Sequence, residues 1–283
     1  MIMTANNTLL RISNVKKNFS EVEALSGVSF EINSGEIVGL VGSNGAGKTT
    51  LLRLMSGVYT PTSGTVTLGD NTPVHEMRDN LGVVPESTGL YSRLTAWENI
   101  RYHSRLYGVD DKIAWKRTVK FAQSLEMEEN LARYTKGFSR GMRQKTALLR
   151  ALAHGPKVLL LDEPTAGLDI TSARTVRALV AQIKQEGGTV VYSTHQLFEA
   201  QQVCDRIIII HNGVVRADGS PQQLIKENNC ASLEEAYVAL TQEKARVRFE
   251  DSKSESGITK LWHKLFRPKT PKLIENAEVF EDE

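Results

Sequence analysis

The sequence predicts an α/β fold organised around a glycine-rich loop. The apolar run Ile37–Val41 is typical of a buried strand, and LLRLMSG at 51–57 is typical of a helix that stops at Gly57. Between them stands the glycine-rich stretch GSNGAGKTT at 42–50. Strand and helix patterns alternate again downstream, where the apolar strand at 158–161 ends in two acids. Ligands of open α/β sheets bind at the carboxyl ends of strands, where both stretches stand.

The glycine-rich stretch has the residue types that a triphosphate needs. Its spacing fits G-x-x-x-x-G-K-[ST], in which glycines let backbone N–H groups point at an anion and a helix N-terminus adds a favourable dipole. Lys48 can reach the β- and γ-phosphates, and the Thr49 hydroxyl can ligate Mg²⁺. The flanking strand and helix disfavour an accidental glycine-rich turn. The residues expected to bind the nucleotide are Gly42, Ser43, Asn44, Gly45, Ala46, Gly47, Lys48, Thr49 and Thr50.

Composition sets limits on the remaining function classes. The 283 residues are 40% hydrophobic and 24% charged, which is ordinary for a globular protein of one large or two small domains. A net charge of +2 gives no global basic footprint for nucleic acid. Cys204 and Cys230 are too few for a disulfide framework, which favours a reduced, cytosolic compartment. With no signal peptide or membrane-length apolar run expected, a membrane role requires a separate partner chain.

The elements before the phosphate loop are predicted to be strands. Alternating patterns at 9–15 and 28–32 indicate two strands, and 16–23 is predicted to be a polar turn between them. This turn carries the aromatic residue Phe19. An aromatic there could stack on a nucleotide base or pack the two strands together, and the residues leave both interpretations open.

A helical region interrupts the alternation after the loop. Short strands at 65–68 and 81–84 precede helices at about 96–107 and 112–126. We interpret this region as an inserted helical subdomain.

The second half of the chain returns to alternating strands and helices. The pattern predicts a helix beginning at Ser139, a helix at 171–186, a strand at 189–193, a hairpin at 207–216 and a helix at about 232–241. No internal repeat is visible.

Two acids and a histidine are candidates for the chemistry. Asp162 suits a Mg²⁺-binding role, and Glu163 stands where a carboxylate can polarise an attacking water. Two solvent-exposed acids would be the alternative, which the matching phosphate loop disfavours. His195, just past a strand end, could contact the γ-phosphate or be a surface residue. Asp169 could be a plain helix N-cap.

The stretch FSRGMRQ at 138–144 presents a second anion-binding helix start. Ser139 and Gly141 would offer a hydroxyl and N–H groups to an anion. Because the chain already has one phosphate loop, a second such helix start suggests a nucleotide shared between two subunits. The alternative is an ordinary serine N-cap.

Together these residues resemble the ATP-binding subunit of ABC transporters over roughly 8–240. Five motifs stand in the family's order: the phosphate loop, FSRGMRQ, LLLDEP, AGLD and STH. The resemblance implies a P-loop NTPase fold of ABC type, with a mixed sheet core, an antiparallel β subdomain and a helical subdomain at about 87–155. It also implies an ATPase domain at 8–242 that uses ATP and Mg²⁺.

The resemblance assigns roles to single residues. Phe19 matches the aromatic that stacks on adenine. Glu163 matches the general base or water-positioning glutamate, and His195 matches the switch histidine. Ser139 and Gly141 match the signature that binds the γ-phosphate of ATP held by the opposite subunit.

The resemblance also implies partners. Asp169 matches a loop that crosses the interface of a homodimer, or of a paired ATPase subunit, with composite ATP sites. The helical subdomain is expected to dock on a membrane-spanning permease, which would place the chain in the cytoplasm, peripheral to the inner face of the membrane. No nucleic acid partner is expected.

The sequence departs from the family pattern in two places. Phe138, Arg140 and Met142 replace residues of the usual LSGGQ signature, and Glu86 stands where a Mg²⁺-contacting glutamine is usual. With the run at 89–108, these departures are similar to the sodium-exporter and drug-exporter branch, which points to export. An importer subunit and a non-transport ATPase acting on ribosomes or DNA are the alternatives. The single ATPase module, with no sustained heptads, disfavours the non-transport class.

The chain after the ATPase domain has a different composition. A charged, serine-rich linker is predicted at 243–256. The tail at 257–283 begins with a basic amphipathic helix pattern and ends in acids. This tail could dock on the membrane surface or the permease, pack on the core, or stay disordered.

Overall fold

The computed structural model describes residues 8–251, with side chains described as far as residue 242. The strands in this part are β1 (Thr8–Phe19), β2 (Val22–Asn33), β3 (Ile37–Val41), β4 (Ser63–Leu68), β5 (Thr72–Pro73), β6 (Leu81–Val84), β7 (Val158–Asp162), β8 (Thr189–Thr194), β9 (Arg206–His211) and β10 (Val214–Gly219). The helices are α1 (Lys48–Met55), α2 (Ala96–Leu106), α3 (Asp111–Ser124), α4 (Arg140–Leu152), α5 (Ile170–Gln185), α6 (Leu197–Val203), α7 (Pro221–Glu227) and α8 (Leu233–Asp251). None of these helices has the length and apolar content needed to cross a bilayer.

A six-stranded mixed sheet carries the site. Its strand order is β10-β9-β3-β8-β7-β6, and all neighbours are parallel except the β9–β10 hairpin. Every residue of β3, β7 and β8 is buried. Such continuous apolar strands are typical of a parallel sheet that is covered on both faces. The parallel direction brings the carboxyl ends of β3, β7 and β8 to one edge.

The two faces of the central sheet pack into different cores. Alternate residues of β3, such as Val38 and Leu40, face a core shared with α1 and the antiparallel sheet. Ile37 and Val41 face the opposite core, which α4 and α5 cover. Because alternate side chains of a strand pack into the two cores, the sheet is held from both faces and its carboxyl edge has a fixed position.

A separate antiparallel sheet has the strand order β2-β1-β4-β5. Here the predicted polar turn at 16–23 is wrong, because β1 continues to Phe19 and β2 begins at Val22. Register shifts along the β1–β2 pair let the polar residues remain in the ladder. The actual turn is tight, with Ser20 at φ 51°.

The inserted helical region is confirmed. Helices α2, α3 and α4 lie in sequence between β6 and β7, which are neighbours in the sheet. Their bounds agree with the predicted helices to within two residues. The helix α5, the strand β8 and the β9–β10 hairpin are also present as predicted, whereas the short helices α6 and α7 were not predicted.

The C-terminal boundary needs a correction. The compact unit ends at Thr241, but α8 continues to Asp251, so residues 243–251 of the predicted linker are helical. The stretch is rich in Ala, Arg, Lys and Glu, which propagate a helix that has already begun. The rest of the linker and the tail at 257–283 lie outside the described residues.

Candidate functional site

A cleft of about 610 Å³ opens at the carboxyl edge of the central sheet. The phosphate loop forms its floor, and the ends of β6, β7 and β8 contribute acids and a histidine. The residues that line it are Val22, Glu23, Ala24, Ser43, Asn44, Gly45, Ala46, Gly47, Lys48, Thr49, Thr50, Glu86, Glu163, Ala166, His195, Asn212 and Gly213. The structure thus brings together most of the predicted nucleotide-binding residues.

The lysine of the phosphate loop is buried at the loop's centre. Lys48 Nζ donates hydrogen bonds to the Gly42 carbonyl at 2.8 Å and the Ser43 carbonyl at 3.2 Å. The same nitrogen lies 3.5 Å from Glu163 Oε1. The ammonium group is therefore aimed into the curl of the loop, where a phosphate would compete for it.

Two loop glycines are required for different reasons. A methyl group at Gly42 would lie 2.3 Å from the Ile210 carbonyl oxygen, so the loop must pass directly against β9. Gly45 has open space around it but adopts φ +81°, which side chains disfavour. The turn after β9 also supports the loop, because Gly213 N–H donates to the Ala46 carbonyl at 3.1 Å. The sequence indicated the hairpin but not this contact.

Asp162 is buried at the end of β7, beside the loop. One carboxylate oxygen, Oδ1, has no hydrogen-bond partner among the described residues. Burial raises the pKa of Asp162, and the nearby Thr49 and Ser193 hydroxyls oppose that rise. The charge of Glu86 raises the pKa of Asp162 further, while the charge of Lys48 lowers it.

These oxygen groups fit Mg²⁺. The described residues hold no cluster of three acidic, His or Cys side chains that could bind a metal alone. Magnesium typically takes one or two carboxylates and completes its shell with phosphates and water. The free oxygen of Asp162, the Thr49 hydroxyl and the Glu86 carboxylate supply a donor set of that kind.

Glu163 and His195 form a pair at the mouth of the cleft. His195 Nδ1 lies 2.9 Å from Glu163 Oε2. Glu163 adopts φ 49°, a conformation that non-glycine residues rarely take outside constrained sites. Its backbone N–H donates to the Ser193 carbonyl at 3.2 Å, which ties the end of β7 to β8. The carboxylate therefore has a fixed position facing the phosphate loop.

The loop that carries Glu86 is held by α4. The Arg150 guanidinium donates to the Thr88 carbonyl at 2.7 Å and to the Gly89 carbonyl at 3.1 Å. Sequence reasoning missed Arg150, because nothing in the pattern of α4 shows which loop its side chain meets. The carbonyls of Thr88 and Gly89 need hydrogen-bond donors, and the long Arg150 side chain reaches both.

Gly141 lies next to Asp169 and Ser172, and neither Ser139, Gly141 nor Asp169 lines the cleft. Ser139 caps α4 by accepting from Met142 N–H at 3.2 Å, and Asp169 caps α5 by accepting from Ser172 N–H at 2.9 Å. A methyl group at Gly141 would lie 2.6 Å from Ser172 Oγ, so the two helix starts touch. The N-cap interpretations of Ser139 and Asp169 are confirmed, while anion binding at the start of α4 stays a prediction.

Phe19 stands at the end of β1, next to the strand that reaches the cleft. Its ring packs edge-on against Tyr59, with ring centres 5.4 Å apart, and Lys17 Nζ lies 5.0 Å from its centre. It is 40% exposed. Val22 and Ala24, rather than Phe19, line the cleft on this side. The ring thus packs on Tyr59, while stacking on a base and packing the two strands together both stay predictions.

Comparison with known proteins places these features in one family. Residues 25–166 match the ABC transporter family. The ABC transporter ATP-binding protein NatA of Bacillus subtilis is 39% identical over 222 residues, covering 77% of this chain and 90% of that protein. The linearmycin resistance ATP-binding protein LnrL of the same organism is 34% identical over 76% of this chain and 70% of that protein.

Other similar proteins include an import protein and a cassette of known structure. The sulfate/thiosulfate import ATP-binding protein CysA of Pseudomonas syringae is 36% identical over 76% of this chain and 68% of that protein. A solved dimeric structure, the ATP-binding cassette MJ0796 in a post-hydrolysis state with ADP and Pi, superposes with a TM-score of 0.68. It is 28% identical and covers 75% of this chain and 98% of that chain. This chain therefore belongs to the ABC transporter family, as an ATP-binding subunit that hydrolyses ATP.

Proposed function

We propose that this chain powers export through a separate membrane-spanning permease, and that two copies, or this copy and a paired ATPase subunit, share two ATP molecules. The observation that carries the proposal is that the phosphate loop lines the cleft, whereas the second helix start with the residue types of an anion site does not. Ser139 and Gly141 belong to a second surface beside Asp169. A second chain in the opposite orientation would bring its Ser139 and Gly141 to the γ-phosphate.

Binding of the nucleotide rests on the phosphate loop. Lys48 exchanges its bonds to the Gly42 and Ser43 carbonyls for bonds to the β- and γ-phosphates, while the N–H groups at the start of α1 face the same anion. Thr49, Asp162 and Glu86 would hold Mg²⁺, which when bound offsets charge on the phosphates. Phe19 would stack on adenine after moving away from Tyr59.

Hydrolysis uses the residues at the mouth of the cleft. Glu163 orients a water molecule and accepts its proton as the water oxygen bonds to the γ-phosphorus. The bond between that phosphorus and the β–γ bridging oxygen breaks, and ADP leaves with that oxygen. His195, paired with Glu163 at 2.9 Å, holds the carboxylate and contacts the γ-phosphate. The water-positioning role suits a carboxylate whose backbone is fixed between two strands.

The proposed direction of transport is export. The departures at Phe138, Arg140, Met142 and Glu86 favour the exporter branch, and LnrL, a relative, is named for resistance to linearmycin. CysA, another relative, is an import protein, so an importer subunit is the competing function. An exporter or importer subunit would work in the cytoplasm, at the inner face of the membrane. Purification with an attached multi-span protein, followed by assay of uptake and efflux in vesicles, distinguishes the two.

A mixing experiment tests the shared site. A chain with Ser139→Ala and Gly141→Asp should bind ATP without hydrolysing it, and a Lys48→Ala chain should fail at the phosphate loop. Mixing the two should restore activity, because each heterodimer holds one site with an intact phosphate loop and an intact partner surface. A mixture no more active than the separate variants would contradict sharing, while a lack of ATP binding by the first variant would contradict the separation of the two surfaces.

A further inference from the structure

Glu199 on α6 is a buried carboxylate that faces the back of the active-site loops. It is 4% exposed. The Thr165 hydroxyl donates to it, at 2.7 Å from Oε1 and 2.9 Å from Oε2, and the Thr194 hydroxyl donates to Oε2 at 3.2 Å. One cation, Arg177, lies 3.4 Å from Oε1. Its two carboxylate oxygens thus receive hydrogen bonds from the loop that follows β7 and from the last residue of β8.

Both hydroxyls belong to the segments that carry the proposed chemistry. Thr165 follows Glu163 by two residues, and Thr194 immediately precedes His195. Glu199 therefore forms a bridge, through the two threonine hydroxyls, between the segments that carry Glu163 and His195. The side chains of Glu163 and His195 themselves meet at 2.9 Å. Tyr192 extends the bridge, because its hydroxyl lies 3.3 Å from Thr165 Oγ1.

We propose that Glu199 is a positioning residue for ATP hydrolysis, which fixes Glu163 and His195 relative to each other through Thr165 and Thr194. The proposal rests on the roles given above to Glu163 and His195. It explains why an ionisable side chain is buried here, since an apolar side chain of the same size would fill the space at lower cost.

The backbone of Glu163 has an unfavourable conformation that needs support from the surrounding contacts. Glu163 adopts φ 49°, which costs energy that surrounding contacts must offset. Its turn is closed by Ala166 N–H donating to the Glu163 carbonyl at 3.1 Å and by the Thr165 bond to Glu199. Loss of that bond leaves the turn with fewer restraints. Displacement of a catalytic group by about 1 Å can lower a rate about a hundredfold.

The carboxylate form matters for the bridge. A carboxylate only accepts hydrogen bonds, and both threonine hydroxyls donate here. Glutamine at this position has the same shape but only one accepting oxygen, so one hydroxyl must turn or lose its partner. Glu199→Gln is therefore a small change that disturbs the bridge without opening a cavity.

The first test measures steady-state ATP hydrolysis and ATP binding by full-length Glu199→Gln. We expect kcat to fall at least tenfold, with the dissociation constant for ATP changed by less than about threefold, because the phosphate loop is untouched. Glu36→Gln is the matched control. Glu36 is also partly buried, accepts from Asn33 N–H at 2.6 Å and pairs with Arg206 at 3.1 Å, but it stands at the opposite end of the sheet. This control should keep kcat within twofold of the wild type.

A second pair of variants makes the test independent of folding at Glu199. Thr165→Val keeps the side-chain shape and removes the hydroxyl, while Thr165→Ser keeps the hydroxyl. We expect the valine variant to lose at least tenfold in kcat and the serine variant to recover most of that loss. Circular dichroism melting of each variant shows whether folding is retained at the assay temperature.

Three outcomes would overturn the proposal: kcat of Glu199→Gln within twofold of the wild type, equal kcat for Thr165→Val and Thr165→Ser, or an equal loss in Glu36→Gln. If Glu199→Gln does not fold, the two Thr165 variants decide alone. Glu163→Gln, assayed in parallel, distinguishes failure of the positioning role of Glu199 from failure of the catalytic role of Glu163. Loss of activity there with full activity in Glu199→Gln contradicts only the positioning role, whereas full activity in Glu163→Gln contradicts the proposed catalytic assignment itself.

Discussion

Replacement of Asp162 by asparagine should stabilise the nucleotide-free protein and weaken its response to Mg²⁺ and ATP. Asp162 is 5% exposed, and its Oδ1 has no hydrogen-bond partner among the described residues. Burial makes the ionised form of this carboxylate costly, which is why its pKa is raised. Asparagine has the same shape and no charge, so the desolvation cost falls.

The size of the effect follows from the unpaired oxygen. A buried polar group without a partner costs about 1–3 kcal/mol, and the amide of asparagine keeps part of that cost. We therefore expect a net gain of about 1 kcal/mol without nucleotide. For a domain of this size that corresponds to a rise of about 2–4 °C in Tm. Added Mg²⁺ and ATP should then raise the Tm of the variant less than that of the wild type, because a carboxylate donor has been lost.

The assay is thermal unfolding of wild type and variant, each with no additions, with ATP and EDTA, and with ATP and Mg²⁺. Asp205→Asn is the control, because this carboxylate is satisfied: Oδ2 accepts from Ile37 N–H at 3.0 Å, and Oδ1 pairs with Lys184. Its replacement should lower Tm. Melting of Asp162→Asn below the wild type without nucleotide would contradict a desolvation cost at Asp162. An equal rise in Tm with Mg²⁺ and ATP would contradict its role as a Mg²⁺ donor.

Three further predictions concern other parts of the chain. Phe19→Ala should weaken ATP binding by about 1–3 kcal/mol if the ring stacks on adenine; calorimetry with ATP and with inorganic triphosphate checks this, and an unchanged ATP affinity with a lower Tm would favour packing. Burial and neighbouring cations hold the pKa of His103 at about 4, below that of an unfolded histidine. Between about pH 6.5 and 4 the unfolded chain therefore binds a proton at His103 that the folded chain does not. The free energy of unfolding should fall by up to about 2 kcal/mol, after allowance for solvent screening, as the pH drops through this range. Denaturant titrations across this range should show a smaller loss in His103→Gln, whereas a variant of the exposed His75 should behave as the wild type does. Arg150→Ala should release the loop that carries Glu86 and raise the Mg²⁺ concentration needed for half-maximal activity several-fold, while Arg150→Lys should do so less; equal Mg²⁺ dependence in all three proteins would contradict it.

The parts of the fold that sequence predicted well are those set by local chemistry. The strand Ile37–Val41 and the loop after it are bounded by residue types that allow few other structures. The caps Ser139 and Asp169 were also predictable, because a side-chain acceptor three residues before a backbone N–H is a local feature. These signals lie within a few residues of one another along the chain.

The features that sequence could not predict depend on contacts between distant residues. The polar stretch at 16–23 continues as strand because β2 and β4 supply ladder partners that local composition does not reveal. Arg150 and the loop at 88–89 are about sixty residues apart, and Glu199 and Thr165 are 34 apart. A long cation on a helix or a carboxylate after a histidine has no local feature that shows which loop it will meet.

We propose that Glu163 carries ATP hydrolysis in a site assembled from two chains. Single-turnover hydrolysis and analytical ultracentrifugation of Glu163→Gln with ATP and Mg²⁺ measure both parts of this proposal. We expect ATP affinity near that of the wild type and hydrolysis reduced at least a hundredfold, because the binding groups remain and the water-positioning carboxylate is lost. We also expect a stable dimer that forms with ATP and dissociates with ADP. Hydrolysis at near the wild-type rate, or a protein that stays monomeric with ATP bound, would contradict the proposal.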